Sequence, residues 1–418
     1  MIEASRPLRL WHRVPALAQA ALLAGAYLVL ALLAARFMTR DDDVVVFWPS
    51  SGLALTALVA SRARRCALCL VAVVLASLAF SAIDGDPADR ALAFAVAAAA
   101  SAAAAAAAIR AALGNRRPDL SRFPDLGAFA GGAAVGCAVG SLVAAGHLAS
   151  GDAVAFGTAW LTWAMGNLTG IVVVAPLILG MPNDGRRPPL QQRPAEGALV
   201  ICLSLVLSVV IFSLTDAPLI GFVMVPVIWA ALRVGVVGAA LAMAAVAVVV
   251  MAATSDGQGM FAASGATPSD DVLIAQSVLV LCGLVAIALA ALTIERERQE
   301  ERLRRREDEL RRLQRLDSLG ALAGSVAHDF NNVLTVIRGH AERGLARAGP
   351  AEADLRMVLR AVESGSALAH QLLRAGAGRS QPPGELDLDA LVADMHGLLS
   401  RVLGGRWEVE LDLDAHAG

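Results

Sequence analysis

The chain has 418 residues, of which 57% are hydrophobic and only 17% charged, and its formal net charge is −2 at pH 7. This composition excludes an ordinary soluble globular protein, and there is no extended basic surface of the kind that nucleic-acid binding requires. Lysine is absent, which also excludes a Walker-type phosphate-binding loop and Schiff-base catalysis.

Long apolar runs fill the part of the chain before Thr293, and the remainder is rich in arginine, glutamate and aspartate. A membrane-spanning helix needs about 20 predominantly apolar residues, so this asymmetry predicts a membrane part followed by a soluble part. The candidate spans are 16–35, 44–60, 66–82, 91–113, 127–149, 158–180, 198–214, 219–232, 234–253 and 272–293. The second and eighth are weak, so the sequence predicts ten spans, or eight if both are shallow.

Charged residues in the connections form two groups that alternate along the chain. One group is rich in arginine: Arg62, Arg64, Arg65, Arg116, Arg117, Arg122, Arg186, Arg187, Arg193, Arg233 and Arg296. The other is acidic: Asp41, Asp42, Asp43, Asp84, Asp86, Asp89, Asp152, Asp216, Asp256, Asp270 and Asp271. By the positive-inside rule, both termini are predicted to be cytoplasmic. The first apolar run has no clear cleavage site, which favours a retained anchor over a signal peptide.

The five cysteines all lie in apolar segments, where cysteine behaves as a small hydrophobic residue. Cys66 and Cys69 have C-x-x-C spacing, but no second pair and no nearby histidine accompany them. The sequence therefore predicts neither a disulfide framework nor a metal site.

The membrane half contains three motifs: Phe47-Trp-Pro-Ser-Ser-Gly-Leu-Ala-Leu55, then Trp163-Ala-Met-Gly-Asn-Leu-Thr-Gly170 leading to Ala175-Pro176-Leu177, and Pro226-Val-Ile-Trp-Ala-Ala-Leu-Arg-Val-Gly235. Their order and spacing resemble the blocks of the first membrane-associated sensor family. The resemblance implies a multi-pass sensory domain over residues 15–294, embedded in the lipid of a bacterial inner membrane and joined to a cytoplasmic signalling domain.

Two polar or aromatic residues of the second motif are candidates for a ligand site, Trp163 and Asn167. Intramembrane polar groups tend to face the interior of a helical bundle, where a ligand could reach them. The alternative for the tryptophan is an anchor at the membrane interface. Asn167 stands where the family pattern has an acidic residue.

No proline occurs between Pro268 and Pro350, which predicts one long helix leading out of the last span. Residues 295–316 are rich in glutamate and arginine, and Leu303 and Leu310 keep heptad spacing, as is typical of a dimeric coiled-coil linker. A solvated helix with ion pairs between residues four apart is the plainer interpretation, and both can hold together.

A strongly amphipathic helix is predicted around His328. At about 100° per residue, an apolar stripe about 80° wide forms on one side, and His328 points to roughly the opposite side. The stripe contains Leu319, Ala323, Val326, Phe330, Val333 and Ile337. Asp329 is suited to hold and deprotonate the imidazole, and Asn332 to orient a water. The alternative is a surface histidine on an ordinary helical hairpin.

The run His328-Asp-Phe-Asn-Asn332 resembles the phosphoacceptor box of sensor histidine kinases. The resemblance implies that residues 317–380 form a dimerising hairpin, half of a four-helix bundle built with a second copy. It also implies that His328 accepts the γ-phosphoryl group of ATP, that Asp329 is the general base, and that Asn332 positions water for phosphatase activity. The implied partner is a response regulator receiver domain, and the implied cofactors of the complete kinase are ATP and magnesium.

Residues 385–418 predict a short strand, a helix and an alternating strand at 407–413, which resemble the start of the ATP-binding α/β domain of histidine kinases. The boxes that hold magnesium and the nucleotide would lie beyond Gly418. The sequence as given therefore predicts that this chain binds neither ATP nor a metal.

The predicted fold is all-α: a polytopic membrane bundle of eight to ten helices, joined by a long helix to a dimeric four-helix bundle, with a short incomplete α/β segment at the end. The predicted function is a membrane sensor histidine kinase. Two alternatives remain open, a non-catalytic phosphotransfer or scaffold protein phosphorylated in trans, and a transporter-like protein, which the His328 motif disfavours. A cyclic-dinucleotide cyclase is excluded within this chain because no GGDEF-like loop occurs.

Overall fold

The computed structural model describes residues 14–36, 47–114, 116–149, 153–181, 189–214, 219–259, 261, 268–346 and 352–376. The predicted α/β segment at 385–418 lies outside these residues. Contacts divide the chain into two compact units, Met1–Glu301 and Arg302–Gly418. All regular secondary structure in the described ranges is helical, as the predicted all-α class requires.

The first unit is a helical bundle whose order follows the apolar runs of the sequence. Its helices are α1 (Ala16–Ala35), α2 (Pro49–Ala60), α3 (Ala63–Asp84), α4 (Ala88–Leu113), α5 (Phe123–Leu148), α6 (Ala153–Leu179), α7 (Pro189–Gln192), α8 (Pro194–Leu214), α9 (Ile220–Arg233) and α10 (Gly235–Ser255). The last helix of this unit is the start of α11 (Pro268–Leu345).

Eight of the described helices are long and apolar enough to cross a membrane, judged by length and composition: α1, α3, α4, α5, α6, α8, α10 and the first part of α11. The two short apolar helices are α2 and α9, with 12 and 14 residues. At 1.5 Å per residue they are roughly 18 and 21 Å long, well short of a hydrocarbon core of about 30 Å. These two helices coincide with the two weak spans predicted from the sequence. The eight longer helices make the chain a multi-pass helical membrane protein.

Small residues let α4 and α5 pack closely. A Cβ added to Gly132 would lie 2.5 Å from the Ile109 side chain, and one added to Gly140 would lie 2.5 Å from the Ser101 side chain. This packing explains the alanine-rich sequence of α4, because in lipid helix association relies on close van der Waals contact rather than on burial from water.

Arginine side chains bind helix ends on one side of the bundle. Arg65, near the start of α3, donates to Gln19 Oε1 near the start of α1 over 2.9 Å. Arg117, which follows α4, donates to the carbonyl oxygen of Ile178 at the end of α6 over 2.6 Å. At the other end of α4, Asp89 lies 3.7 Å from His147 near the end of α5. The arginine-rich helix ends therefore lie on one side, opposite the ends that carry Asp89 and His147.

The second unit contains the rest of α11 and α12 (Glu352–Gly376). Helix α11 is continuous from the last apolar segment through the His328 motif, as the absence of proline predicts. Helices α11 and α12 form a hairpin whose inner face is lined by small and aliphatic side chains, among them the buried Ala327, Ala341, Val362 and Ala369.

Candidate functional site

The first two membrane motifs meet at the start of α2 and the middle of α6. The backbone N–H of Trp48 donates to the carbonyl oxygen of Gly166 over 3.1 Å. The Ser51 hydroxyl donates to Asn167 Oδ1, and Asn167 Nδ2 donates to the carbonyl oxygen of Trp163 over 2.8 Å. Two motifs that are far apart in the sequence thus form one polar junction.

Two glycines make this junction possible. A Cβ on Gly170 would fall on the Trp48 carbonyl oxygen, and a Cβ on Gly52 would lie 2.5 Å from the Gly170 carbonyl oxygen. Both obstacles are backbone atoms that cannot rotate away, so only glycine permits this close approach. The glycines of the two motifs are therefore explained by packing.

Both ends of the short helix α2 are hydrogen-bonded to neighbouring helices. At its start the Ser50 hydroxyl donates to the carbonyl oxygen of Tyr27 over 3.0 Å. At its end Arg110 Nη2 donates to the carbonyl oxygens of Leu58 and Ser61 over 2.7 and 3.1 Å. The last carbonyl groups of a helix have no partner within the helix, and away from water they need another donor, which Arg110 supplies here. These contacts explain how a helix too short to span is held within the bundle.

The structure brings together the two candidate ligand residues, Trp163 and Asn167. Asn167 is only 4% exposed, and both its side-chain oxygen and its nitrogen bind protein groups. Trp163 is half-buried, and its ring centroid lies 6.2 Å from that of Phe94. The contacts give Asn167 a structural role in joining α2 to α6, and a ligand site at these residues stays a prediction.

The third motif lies on α9 and packs against α8 and α10. Trp229 Nε1 and Arg233 Nε each lie 3.0 Å from Glu196 Oε1, at the start of α8. Gly235, which ends the motif, has φ +79°, a conformation that favours glycine. The polar residues of this motif therefore connect the short helix α9 to its neighbours.

The predicted phosphoacceptor residues His328, Asp329 and Asn332 are all exposed on α11. An exposed imidazole next to an exposed carboxylate can be approached by another protein domain. The histidines His340 and His370 of the same hairpin are exposed as well, so exposure alone does not distinguish His328.

Asn331, the neighbour of Asn332, faces the inside of the hairpin. Ser366 Oγ, on α12, donates to Asn331 Oδ1 over 3.1 Å. Gly365 allows this approach, since a Cβ there would lie 3.1 Å from the Leu334 side chain. The two adjacent asparagines thus have different surroundings, and the contact of Asn331 with α12 was missed by the sequence because its partner lies on another helix.

Within one chain, the part of the predicted apolar stripe whose side chains the structure describes does not face α12. Val326, Phe330, Val333 and Ile337 are between 40% and 61% exposed. The hairpin instead uses the neighbouring side of α11, where Ala327 and Ala341 are buried. The helix therefore has one apolar face occupied by α12 and a second, adjacent one that is uncovered.

The membrane bundle defines a multi-pass helical membrane protein. A family model, MASE1, matches residues 19–297. Because this match covers more than half of the chain, the protein belongs to the MASE1 family of membrane sensor domains.

One curated relative adds information on the signalling class. The sensor kinase CckA of Brucella abortus (strain 2308) is 32% identical over 109 residues, which make up 25% of this chain and 12% of that protein. The chain therefore spans about an eighth of the length of this relative. No solved structure matches. Together, the family and the relative support a membrane sensor of a signalling system.

Proposed function

We propose that this protein is the sensory and phosphoacceptor part of a membrane sensor histidine kinase, with His328 as the residue that receives the γ-phosphoryl group of ATP. The observation that carries the proposal is the continuous helix α11, which begins in the last membrane segment and presents His328, Asp329 and Asn332 at its surface. The MASE1 membership and the partial similarity to a sensor kinase support the same function.

The proposed chemistry uses a neutral imidazole as nucleophile: a ring nitrogen of His328 bonds to the γ-phosphorus of ATP, the bond from that phosphorus to the β-phosphate oxygen breaks, and ADP leaves. The Asp329 carboxylate accepts the proton on the other ring nitrogen and stabilises the positive charge that develops during attack. The ATP-binding domain of the complete kinase would hold ATP and magnesium. The phosphoryl group then passes from His328 to an aspartate of a response regulator receiver domain. In the separate phosphatase reaction, Asn332 orients the water that hydrolyses the phosphoaspartate of the response regulator to aspartate and inorganic phosphate.

A phosphorylation assay tests this function. The protein in membranes, with its own ATP-binding domain or one supplied by a related kinase, is incubated with γ-labelled ATP. We expect an acid-labile, base-stable label, as a phosphohistidine requires. A chain that stays unlabelled, or an acid-stable label on serine or threonine, would contradict the proposal.

The uncovered stripe of α11 supports a homodimer, because it is the surface that a second hairpin needs to complete a four-helix bundle. Val333 belongs to this stripe, whereas Val336 lies about 100° from its middle on a helical projection. The two valines are 58% and 61% exposed and differ mainly in direction. They form a matched pair for a test of the dimer.

We expect Val333→Glu to weaken dimerisation by at least about tenfold, because it places a charge in an apolar interface, and Val336→Glu to leave dimerisation nearly unchanged. Cross-linking or analytical ultracentrifugation in detergent measures the fraction of dimer. Equal behaviour of the two variants would show that the stripe is not the interface.

The proposed location is a bacterial inner membrane with both termini in the cytoplasm, as the arginine-rich connections indicate. Reporter fusions after Arg65, Arg117, Arg187 and Arg298 should therefore report a cytoplasmic position, and a fusion at Asp256 an external one. A cytoplasmic signal at Asp256 would overturn the proposed orientation of α10 and α11.

A further inference from the structure

The loop 116–122, between α4 and α5, is fixed to the first turn of α5. Arg116 donates hydrogen bonds from Nη1 and Nη2 to the two oxygens of the Asp125 carboxylate, over 2.5 and 2.6 Å. The backbone N–H of Asp119 donates to Asp125 Oδ2 over 2.9 Å. The Asp125 carboxylate is almost completely buried. A bidentate pair of this kind restricts orientation as well as distance, so the loop has a defined position on α5.

The same loop is bound to α6. Arg117 Nη2 donates to the carbonyl oxygen of Ile178, in the last turn of α6, over 2.6 Å. Burial lowers the pKa of Arg117 to about 10, so its guanidinium stays charged at neutral pH. A cation is favourable at the carbonyl end of a helix. Helix α6 also carries Asn167, which contacts Ser51 at the junction of the first two motifs.

A third contact reaches the helix that leaves the membrane. Asp119 Oδ2 lies 3.8 Å from Arg298 Nη2, and both side chains are mostly shielded from solvent. The other oxygen, Asp119 Oδ1, accepts hydrogen bonds from the Ser121 backbone N–H over 3.0 Å and from its hydroxyl over 2.5 Å. Ser121 thus holds the Asp119 carboxylate by Oδ1, while Oδ2 of the same carboxylate faces Arg298. Arg298 belongs to α11, the helix that also carries His328.

We propose that loop 116–122 is a clasp that couples α6 to α11, so that a rearrangement around Asn167 changes the position of α11 where it leaves the bundle. The coupling of α6 to α11 does not depend on the proposed function. Only its consequence, the control of His328, rests on that function. The clasp connects α6 and α11 through one small, rigid loop, so a movement of α6 can be transmitted to α11. When two arrangements of a signalling helix differ little in free energy, one such contact changes their populations severalfold.

Charge reversal tests the contact with Arg298. The full chain in lipid nanodiscs is compared with Asp119→Arg, Arg298→Asp, the double exchange, and the control Arg296→Asp, an exposed arginine on the same helix. Hydrogen–deuterium exchange is followed in peptides covering 116–122 and 291–301. We expect roughly two- to fivefold faster exchange in both single variants, recovery of peptide 291–301 in the double exchange, which restores the ion pair, and no change in the control. Failure of the double exchange to recover, or an equal effect of the control, would refute the contact.

Removal of the Ser51 hydroxyl tests the coupling. In the unaltered background, Ser51→Ala removes the hydrogen bond to Asn167 and should change exchange at 291–301 about twofold. In the Asp119→Arg background the same substitution should have a clearly smaller effect at 291–301, since the clasp is already open and only the direct packing of α6 on α11, as at Val172 and Gly283, remains. An equal effect in both backgrounds, or none in either, overturns the proposal. These outcomes do not depend on phosphorylation, so a failure of the kinase assay would refute the proposed function separately.

Discussion

Replacement of His328 by glutamine is expected to abolish the acid-labile label in the phosphorylation assay. Glutamine keeps a polar side chain on the exposed face of α11 and removes the nucleophilic nitrogen, so the hairpin should remain folded. The measurement is the acid-labile label per chain, with circular dichroism as a check on helix content. His340→Gln and His370→Gln are the matched controls, because both residues are exposed on the same hairpin. A label that persists in His328→Gln, or one that is lost in a control, contradicts the assignment.

The neighbours of His328 are expected to act in two different reactions, the phosphorylation of His328 and the dephosphorylation of the response regulator. Asp329→Asn is expected to slow label uptake by about 10²–10⁴-fold, since loss of a general base typically has this cost. Asn332→Ala should leave uptake nearly normal and slow the removal of phosphate from the response regulator. Asn331→Ala is a useful comparison, because Asn331 binds Ser366 in the hairpin instead of facing solvent. Equal effects of Asn331→Ala and Asn332→Ala on dephosphorylation would contradict the proposed role of Asn332 in positioning water.

The second large effect concerns the junction of the membrane motifs. Gly170→Ala is expected to destabilise the bundle by about 3 kcal/mol or more, or to prevent folding. The reason is that the added methyl group falls on the Trp48 carbonyl oxygen, an atom of the backbone. Relief would require α2 to move away from α6 and would break the hydrogen bond between Trp48 and Gly166.

The yield of monodisperse protein in detergent and its midpoint of thermal unfolding measure this effect. Gly131→Ala is the control, since no atom lies within 4 Å of a Cβ added there. In a helix that substitution should be neutral or slightly stabilising. Similar unfolding midpoints for Gly170→Ala and Gly131→Ala would show that the close approach of α2 to α6 is not required.

The sequence located nearly every helix of the membrane unit, because a long apolar run has few alternatives to a membrane helix. It also distinguished α2 and α9 as the two weak spans, since their apolar lengths are short and each carries a proline. What it left open is how such short helices are held. The answer lies in contacts of Arg110 with the end of α2 and of Glu196 with Trp229 and Arg233 of α9.

For the helix around His328, too, the sequence predicted one feature and left another open. The periodicity of α11 predicted an exposed histidine, and His328 is exposed. It did not reveal that α12 occupies the side of Ala327 and Asn331 and leaves the main apolar stripe uncovered. A helical projection gives the angle between two side chains of one helix, but it does not say which neighbouring helix each side meets.

The sequence by itself therefore determined the all-α class, the approximate bounds of the membrane helices and the continuity of α11, because these follow from local periodicity, apolar length and the placement of proline. Only the tertiary structure decided that Ser51 meets Asn167, that Gly170 abuts Trp48 and that Asp119 lies next to Arg298. The physical reason is that each of these contacts joins residues far apart in the chain. Their partners are selected by the packing of whole helices, and no local pattern in the sequence encodes that choice.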